Sequence, residues 1–349
     1  MTNPSVDAVR DEFRRNVSSV AEHLIKVFGL KYKREVEHLS APLSRWMDFR
    51  LRYIDPQPRN VVVSDAFPKS KLPTGARTAL AQMAHRFEVG RDVNPYQGRG
   101  LILRNDYSGS QTHSRTDLLW ADWNITHLHL SDEPLPRDRY FSKPADFLLY
   151  CLVTPTEVAF IDVQPHPDRV GFSEPELFKT MVRCWPEYMN QFALKGFTSS
   201  APNPTAQEIH ETRESGLFRF LNVDGKLYMG PGMGITTATT PLRVTREADR
   251  VLDYIDELAE MACDPNGSIA KHERERTPVV GRNLSFGISE QGLAILDNAF
   301  SHLFILPRAA VGTEPTGMAL LHDLFLPRWA QDAAIRALES PRSSHFERN

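Results

Sequence analysis

From Val6 onward the apolar positions Val9, Phe13, Val17, Val20, Leu24 and Val27 step by three and four. At helical periodicity that spacing gathers them on one face, so the pattern predicts an amphipathic helix stopped by Gly29. Val36, Leu39, Leu43, Trp46 and Met47 repeat the spacing and predict a second helix ending before the breaker Asp55-Pro56-Gln57-Pro58. The chain therefore opens as a helical hairpin. A β-like run, Val61-Val62-Val63, follows, and then a helix from about Pro73 to Glu88 with proline at its first turn.

After Gly100 the apolar runs become short and alternating. Leu101 to Leu103, Ile125 to Leu130, Phe147 to Val153 and Val158 to Val163 read as strands. The last two flank Thr154-Pro155-Thr156-Glu157, which predicts an antiparallel hairpin, and a helix around Glu174 to Trp185 is stopped by Pro186. Phe197 to Gln207 is rich in Ser, Pro and Asn and reads as a surface loop or linker. Asp224-Gly225 between apolar runs signals a second hairpin within Leu217 to Met229, and a Gly-rich stretch, Gly230 to Gly234, comes next.

Val244 to Met261 has helical spacing, Asp264 to Pro278 is a polar loop, and Ser285 to Phe300 is a hairpin about Glu290-Gln291-Gly292. Helices from Met318 to about Glu339 close the chain before a disordered tail past Pro341. This is an α+β pattern without internal repeats. It predicts an N-terminal helical region (1–95), a central candidate catalytic domain with a small antiparallel sheet and flanking helix (96–195), and a C-terminal hairpin-and-helix unit (208–340).

Composition narrows the function classes. A chain of 349 residues exceeds the usual size of one core, and 41% hydrophobic with 24% charged residues excludes disordered, collagenous and coiled-coil proteins. With a formal net charge of −3, any nucleic-acid binding must come from a local basic patch. Cys151, Cys184 and Cys263 are odd in number and sit among apolar or helical residues, which suits reduced thiols. The charged start MTNPSVDAVRDEFRR lacks a signal-peptide core, and no run reaches the roughly 18 apolar residues of a membrane span. The expectation is a cytoplasmic protein with no membrane partner.

Chemistry-bearing residues are densest from His113 to Arg139. His127 and His129 lie two apart in a predicted strand, so both imidazoles project from one face, roughly 6 to 7 Å apart, with Leu128 and Leu130 on the other. That spacing suits an acid and a base flanking a phosphodiester, a pair of metal ligands, or two histidines simply solvated above a core strand. His166 follows the next hairpin strand, where antiparallel pairing would bring it close, and Asp162 in that strand is placed to orient an imidazole or complete a metal site. Arg115, Arg137 and Arg139 flank the histidine strand, and their planar forks match phosphate oxygens as well as they match solvent. Trp120 and Trp123, beside Leu118, Leu119 and Ile125, read as core more readily than as base-stacking platforms.

No cofactor is called for. A phosphate-binding loop ending in Gly-Lys-Ser/Thr, a Cys-x-x-Cys pair and a His-Glu-x-x-His helix are all absent from the sequence, and Pro231 removes a backbone donor from Gly230-x-Gly-x-Gly234. Asp117 with Asp162-Val163-Gln164 faintly echoes metal-dependent nuclease cores, but His166 stands where such cores carry lysine.

The block Asp117-Leu-Leu-Trp-Ala-Asp-Trp-Asn-Ile-Thr-His-Leu-His-Leu, with Phe147-Leu-Leu-Tyr, Phe160-Ile-Asp-Val and Pro165-His166, resembles a widespread set of uncharacterised bacterial and prophage-associated proteins. Over about residues 100 to 190 the layout of arginines, strand pair and adjoining helix is also similar to the RelE/barnase-type ribonuclease toxins, compact antiparallel sheets that cut RNA without metal. The similarity lies in the pattern, and no catalytic residue of those toxins is carried over. It implies an endoribonuclease of toxin or antiphage-defence type with RNA as substrate and an antitoxin or defence-system protein as partner. In that reading His127 and His129 act as base and acid and Arg137 or Arg139 holds the phosphate. Two alternatives use the same chain differently: a metal-dependent phosphoesterase or nuclease with His127, His129, His166 and Asp162 as ligands, and a non-catalytic sensor or adaptor.

Overall fold

The computed structural model describes residues 4–32, 41–67, 72–103, 117–131, 133, 135, 139–168, 170–199, 202–236, 240–267, 269–271, 281–310 and 317–339. In chain order the elements are α1 (Val6–Val27), α2 (Pro42–Arg52), β1 (Asn60–Val63), α3 (Thr74–Glu88), α4 (Gly100–Leu103), α5 (Leu118–Trp123), β2 (Thr126–His129), β3 (Phe147–Val153), β4 (Glu157–Pro165), α6 (Pro175–Cys184) and α7 (Pro186–Met189). They continue with β5 (Ala193–Thr198), α8 (Ala206–Glu214), β6 (Leu221–Val223), β7 (Lys226–Tyr228), α9 (Leu242–Cys263), β8 (Leu284–Ser289), β9 (Gly292–Asp297) and β10 (His302–Ile305), and end in helices Ala319–Phe325 and Arg328–Glu339. The fold is α+β. Among the described residues no helix is long and apolar enough to cross a membrane. Val36 and Leu39 of the second predicted helix, most of the Asp264 to Pro278 loop and the tail past Pro341 lie outside the described residues.

Two compact units result, one built from Met1–Arg50 and Thr245–His345, the other from Leu51–Val244. This differs from the three-part division 1–95, 96–195 and 208–340, because strand pairing and helix packing join segments far apart in sequence. In the first unit α1 starts at a Ser5 cap that accepts from the Ala8 N–H and ends just before Gly29 at φ 55°. Its buried face, including Val9, Phe13, Val17 and Leu24, packs on the antiparallel sheet β10-β9-β8; Phe13 lies 6.2 Å from Phe286, and the Phe286 N–H donates to Asn16 at 2.7 Å. Phe28, Trp46, Phe49 and Trp329 form an aromatic cluster, and the Trp46 indole donates to the Phe325 carbonyl at 2.8 Å. The buried His322 imidazole accepts from the Leu293 N–H at 2.7 Å and meets the Pro307 carbonyl at 2.8 Å, tying a helix to β9 and to the chain beyond β10.

The second unit holds the four-stranded sheet β1-β4-β3-β2. β3-β4 is the predicted antiparallel hairpin, and β2 adds to it antiparallel; the β-like run Val61 to Val63 lies in β1, which pairs parallel to β4, Val61 opposite Val158, so the sheet is mixed. Leu101-Ile102-Leu103, predicted as a strand, lies in the helical turn α4, whose carbonyls at Gly100 and Leu101 receive the Arg52 guanidinium. One face of the sheet, with Leu128, Leu149, Cys151, Phe160 and Val163, packs on Ala76, Ala79, Met83 and Phe87 of α3. The other, with Leu148, Tyr150, Leu152 and Ile161, packs on Trp123, Phe172 and Leu177, Phe178 and Met181 of α6.

A bulge interrupts β4: Tyr150 faces Asp162 and Cys151 faces Phe160, leaving Ile161 as the extra residue. Ser64 secures it, its hydroxyl donating to the Ile161 carbonyl at 2.6 Å. The Asp224-Gly225 hairpin forms as predicted, both residues at positive φ (51° and 81°), within the small sheet β5-β7-β6. Phe197 to Gln207 is less of a loop than predicted, since β5 and α8 claim its two ends. Gly230 and Gly232 permit close backbone contact: a Cβ would sit 2.1 Å from the Asp122 carbonyl oxygen and 2.4 Å from that of Ala121. The Gly232 and Gly234 N–H groups donate to those carbonyls, closing the end of α5.

Arg213 of α8, 2% exposed, joins the surrounding elements. It donates to Asp122 at 2.8 Å and to the Phe172 carbonyl and Ser173 hydroxyl at 3.0 Å, and its guanidinium lies 4.1 Å from the centre of the Trp123 ring. Removing one partner of a buried pair strands the other charge, so Arg213→Ala is expected to cost about 3–5 kcal/mol in urea unfolding; a loss under 1 kcal/mol would show that Asp122 is readily resolvated. Burial, reinforced by the charges of Arg308 and Arg328, pushes His322 down to about 4. An unfolded histidine binds its proton near pH 6.5, so stability should fall as pH drops from about 6.5 towards 4, by up to about 1.4 kcal/mol per pH unit from this residue. The fall should be shallower in His322→Asn; equal slopes would contradict the assignment.

Candidate active site

Alternation along β2 turns Leu128 and Leu130 into the α3-side core and His127 and His129 to the opposite face. Across the ladder His127 stands opposite Tyr150 and His129 opposite Leu148, while Tyr150 stands opposite Asp162. His166 immediately follows β4 and extends the pairing, its N–H donating to the Asp146 carbonyl at 2.7 Å. The three histidines converge. His127 and His129 ring centres are 6.5 Å apart, and those of His129 and His166 are 5.8 Å apart in a stacked arrangement. Phe172 walls the group, 5.1 Å from His127, 6.0 Å from His166 and 6.4 Å from Tyr150.

The carboxylate that addresses an imidazole is Asp117, and Asp162 is held elsewhere. Asp117 caps α5, one oxygen accepting from the Leu119 and Trp120 N–H groups at 3.0 and 3.1 Å. Its other oxygen lies 3.2 Å from His127 Nδ1. Burial opposes ionisation of Asp117, but the adjoining His127, the Trp120 N–H and the charge of Arg52 outweigh it and hold the carboxyl below its ordinary range. Asp162 instead accepts from Gln164 at 2.9 Å and from the Val163 N–H at 2.7 Å, and burial raises its carboxyl.

His129 is set as a neutral donor. The Ala145 N–H donates to its Nδ1 at 3.2 Å, which leaves the ring proton on Nε2. That nitrogen faces Gly98, where a Cβ would lie 3.5 Å away. Burial, together with the charges of His127 and His166, pushes His129 down to about 4. His166 Nδ1 lies 3.1 Å from the Pro167 carbonyl, an acceptor, which places a ring proton on Nδ1.

Of the three arginines singled out by sequence, Arg115 and Arg137 lie outside the described residues, as does His113, and Arg139 is exposed beside the buried Tyr140. Trp120 and Trp123 are core residues. Among the described residues no three His, Cys, Asp or Glu side chains are arranged to hold a metal ion, the proposed set of His127, His129, His166 and Asp162 included. Sequence reading overlooked Asp117 as the orienting carboxylate, although an aspartate directly before Leu-Leu-Trp carries the signature of a helix cap. Nothing local marked Tyr150 or Phe172.

No family model matches the chain, and comparison with curated proteins and with solved structures finds no similar protein. The site is therefore read from its own geometry. His129 should remain neutral at pH 7 and titrate near 4 when its ring signals are followed by NMR; a midpoint near the ordinary 6.5 would show that the ring is solvated and free to act as an acid.

Proposed function

We propose that the chain is an endoribonuclease that cleaves RNA by acid–base catalysis without a metal, of the toxin or antiphage-defence kind. The observation that carries this reading is the Asp117–His127 pair, 3.2 Å apart, set beside two further imidazoles on one sheet face. A carboxylate against one ring nitrogen orients the imidazole and favours its protonated form, which is what a general base needs as it takes up a proton. His127 removes the proton from a ribose 2′-hydroxyl, whose oxygen attacks the adjacent phosphorus. His166, the exposed histidine of the three, gives a proton to the departing 5′-oxygen. His129, neutral at pH 7, is unsuited to the acid role that the sequence assigned to it; it donates its Nε2–H to a phosphoryl oxygen instead. The products are a 2′,3′-cyclic phosphate and a 5′-hydroxyl. In this reading an antitoxin or defence-system protein is the partner that holds the activity in check.

The purified protein, incubated with single-stranded RNA and DNA in EDTA, should cut RNA alone and leave cyclic phosphate ends. His127→Ala should abolish cleavage. Asp117→Asn keeps a side chain able to cap α5 and removes the charge, so turnover should fall roughly 10²- to 10⁴-fold with the fold intact. Cleavage that requires a divalent metal would move the reading to a metal-dependent phosphoesterase, and cleavage of neither polymer would leave the adaptor reading standing in its place.

A further inference from the structure

Tyr150 occupies the middle of β3, the central strand of the meander, and its side chain shares a row with His127 on one neighbour and Asp162 on the other. It is 0% exposed. Its phenolic oxygen is buried without a hydrogen-bond partner among the described residues, although its ring is well packed against Phe172 and the apolar residues around it. Burial, reinforced by the charges of Asp117 and Asp162, pushes the pKa of the phenol well above its ordinary value, so the group stays protonated as a donor.

A buried hydroxyl without an acceptor is costly, and phenylalanine would supply the same packing without that cost. The two carboxylates in its neighbourhood are already engaged: Asp117 with a helix cap and His127, Asp162 with Gln164 and the Val163 N–H. Among the described residues the hydroxyl thus has no acceptor, and its side chain shares a row of the sheet with His127, the histidine that Asp117 addresses.

We infer that the Tyr150 hydroxyl is a substrate-binding donor that meets a phosphoryl oxygen of the bound ligand. This rests on the ribonuclease reading for the identity of the substrate, while the oxyanion chemistry of the subsite follows from the donor itself. Phe172 lines the same face, its ring 6.4 Å from that of Tyr150, 5.1 Å from His127 and 6.0 Å from His166. A phenol donor sheltered from water gains most when negative charge accumulates on the oxygen it faces, as it does in the pentavalent transition state.

Tyr150→Phe separates this role from a structural one. The variant should unfold at the same temperature as the parent or slightly higher, because an unsatisfied hydroxyl is removed; a melting temperature lower by several degrees would mean that the hydroxyl serves the fold and would overturn the inference. Binding is read independently of cleavage with inorganic phosphate as probe. Millimolar phosphate should raise the melting temperature of the parent and shift the ring signals of His127 and His166, and both responses should be largely lost in Tyr150→Phe. A parent that ignores phosphate, or a variant that responds as the parent does, overturns the inference. With RNA, the variant should lose roughly a hundredfold in kcat with a smaller change in KM. If the parent cleaves RNA and the variant cleaves equally well, the ribonuclease reading stands and the role of Tyr150 falls; if the parent binds phosphate through Tyr150 but cleaves no RNA, the subsite stands and the ribonuclease reading falls.

Discussion

One carboxylate does two jobs that depend on each other. Asp117 caps α5 with one oxygen and meets His127 with the other, so the imidazole has a fixed partner only while the helix start is formed. The cap explains why an anion is tolerated in so enclosed a place, since backbone N–H groups and a nearby imidazole together replace the water that burial removes. It also links the site to the core, because α5 carries Leu119 and Trp123 into the apolar layer beneath the sheet.

That layer is held from the other side by Arg213. Its pair with Asp122 closes one end of α5, and its bonds to the Phe172 carbonyl and Ser173 position the turn whose aromatic ring walls the histidines. The Gly230 to Gly234 segment contributes by close approach, its N–H groups taking the last carbonyls of α5. The Gly232 and Gly234 N–H groups of this glycine-rich stretch are spent on a helix end, not on a phosphate. The start of this six-residue helix is satisfied by its own cap, Asp117, and its end by groups from elsewhere in the unit, which is what so short a helix needs to persist.

The bulge in β4 sets the third side of the site. Strict alternation after Ile161 would turn Asp162 into the α3-side core, where a carboxylate has no partner. The extra residue keeps Ile161 and Asp162 on the same face, so Tyr150 has the acidic row beside it while Val163 returns to the opposite core. Ser64, just after β1, bonds the bulge carbonyl, and in this way the parallel edge strand supports the arrangement of the histidine face.

Local pattern by itself determined the long amphipathic helices, the β3–β4 hairpin, the Asp224-Gly225 turn and the shared face of His127 and His129. Each of these follows from a period of 3.6 or 2 and from turn chemistry within a few residues. The sequence also suggested that His166 would join them, since antiparallel pairing carries the end of one strand back to the start of its neighbour. Tertiary structure decided the rest. The parallel pairing of β1, the helical turn at Leu101 to Leu103, the choice of Asp117 over Asp162 as the carboxylate facing His127, the neutral state of His129 and the hydroxyl of Tyr150 without a partner among the described residues all arise from how the fold packs these residues against one another. Periodicity tells which face a side chain takes, but burial and the identity of its partner depend on what packs against that face, and these set the charge and chemistry of a group.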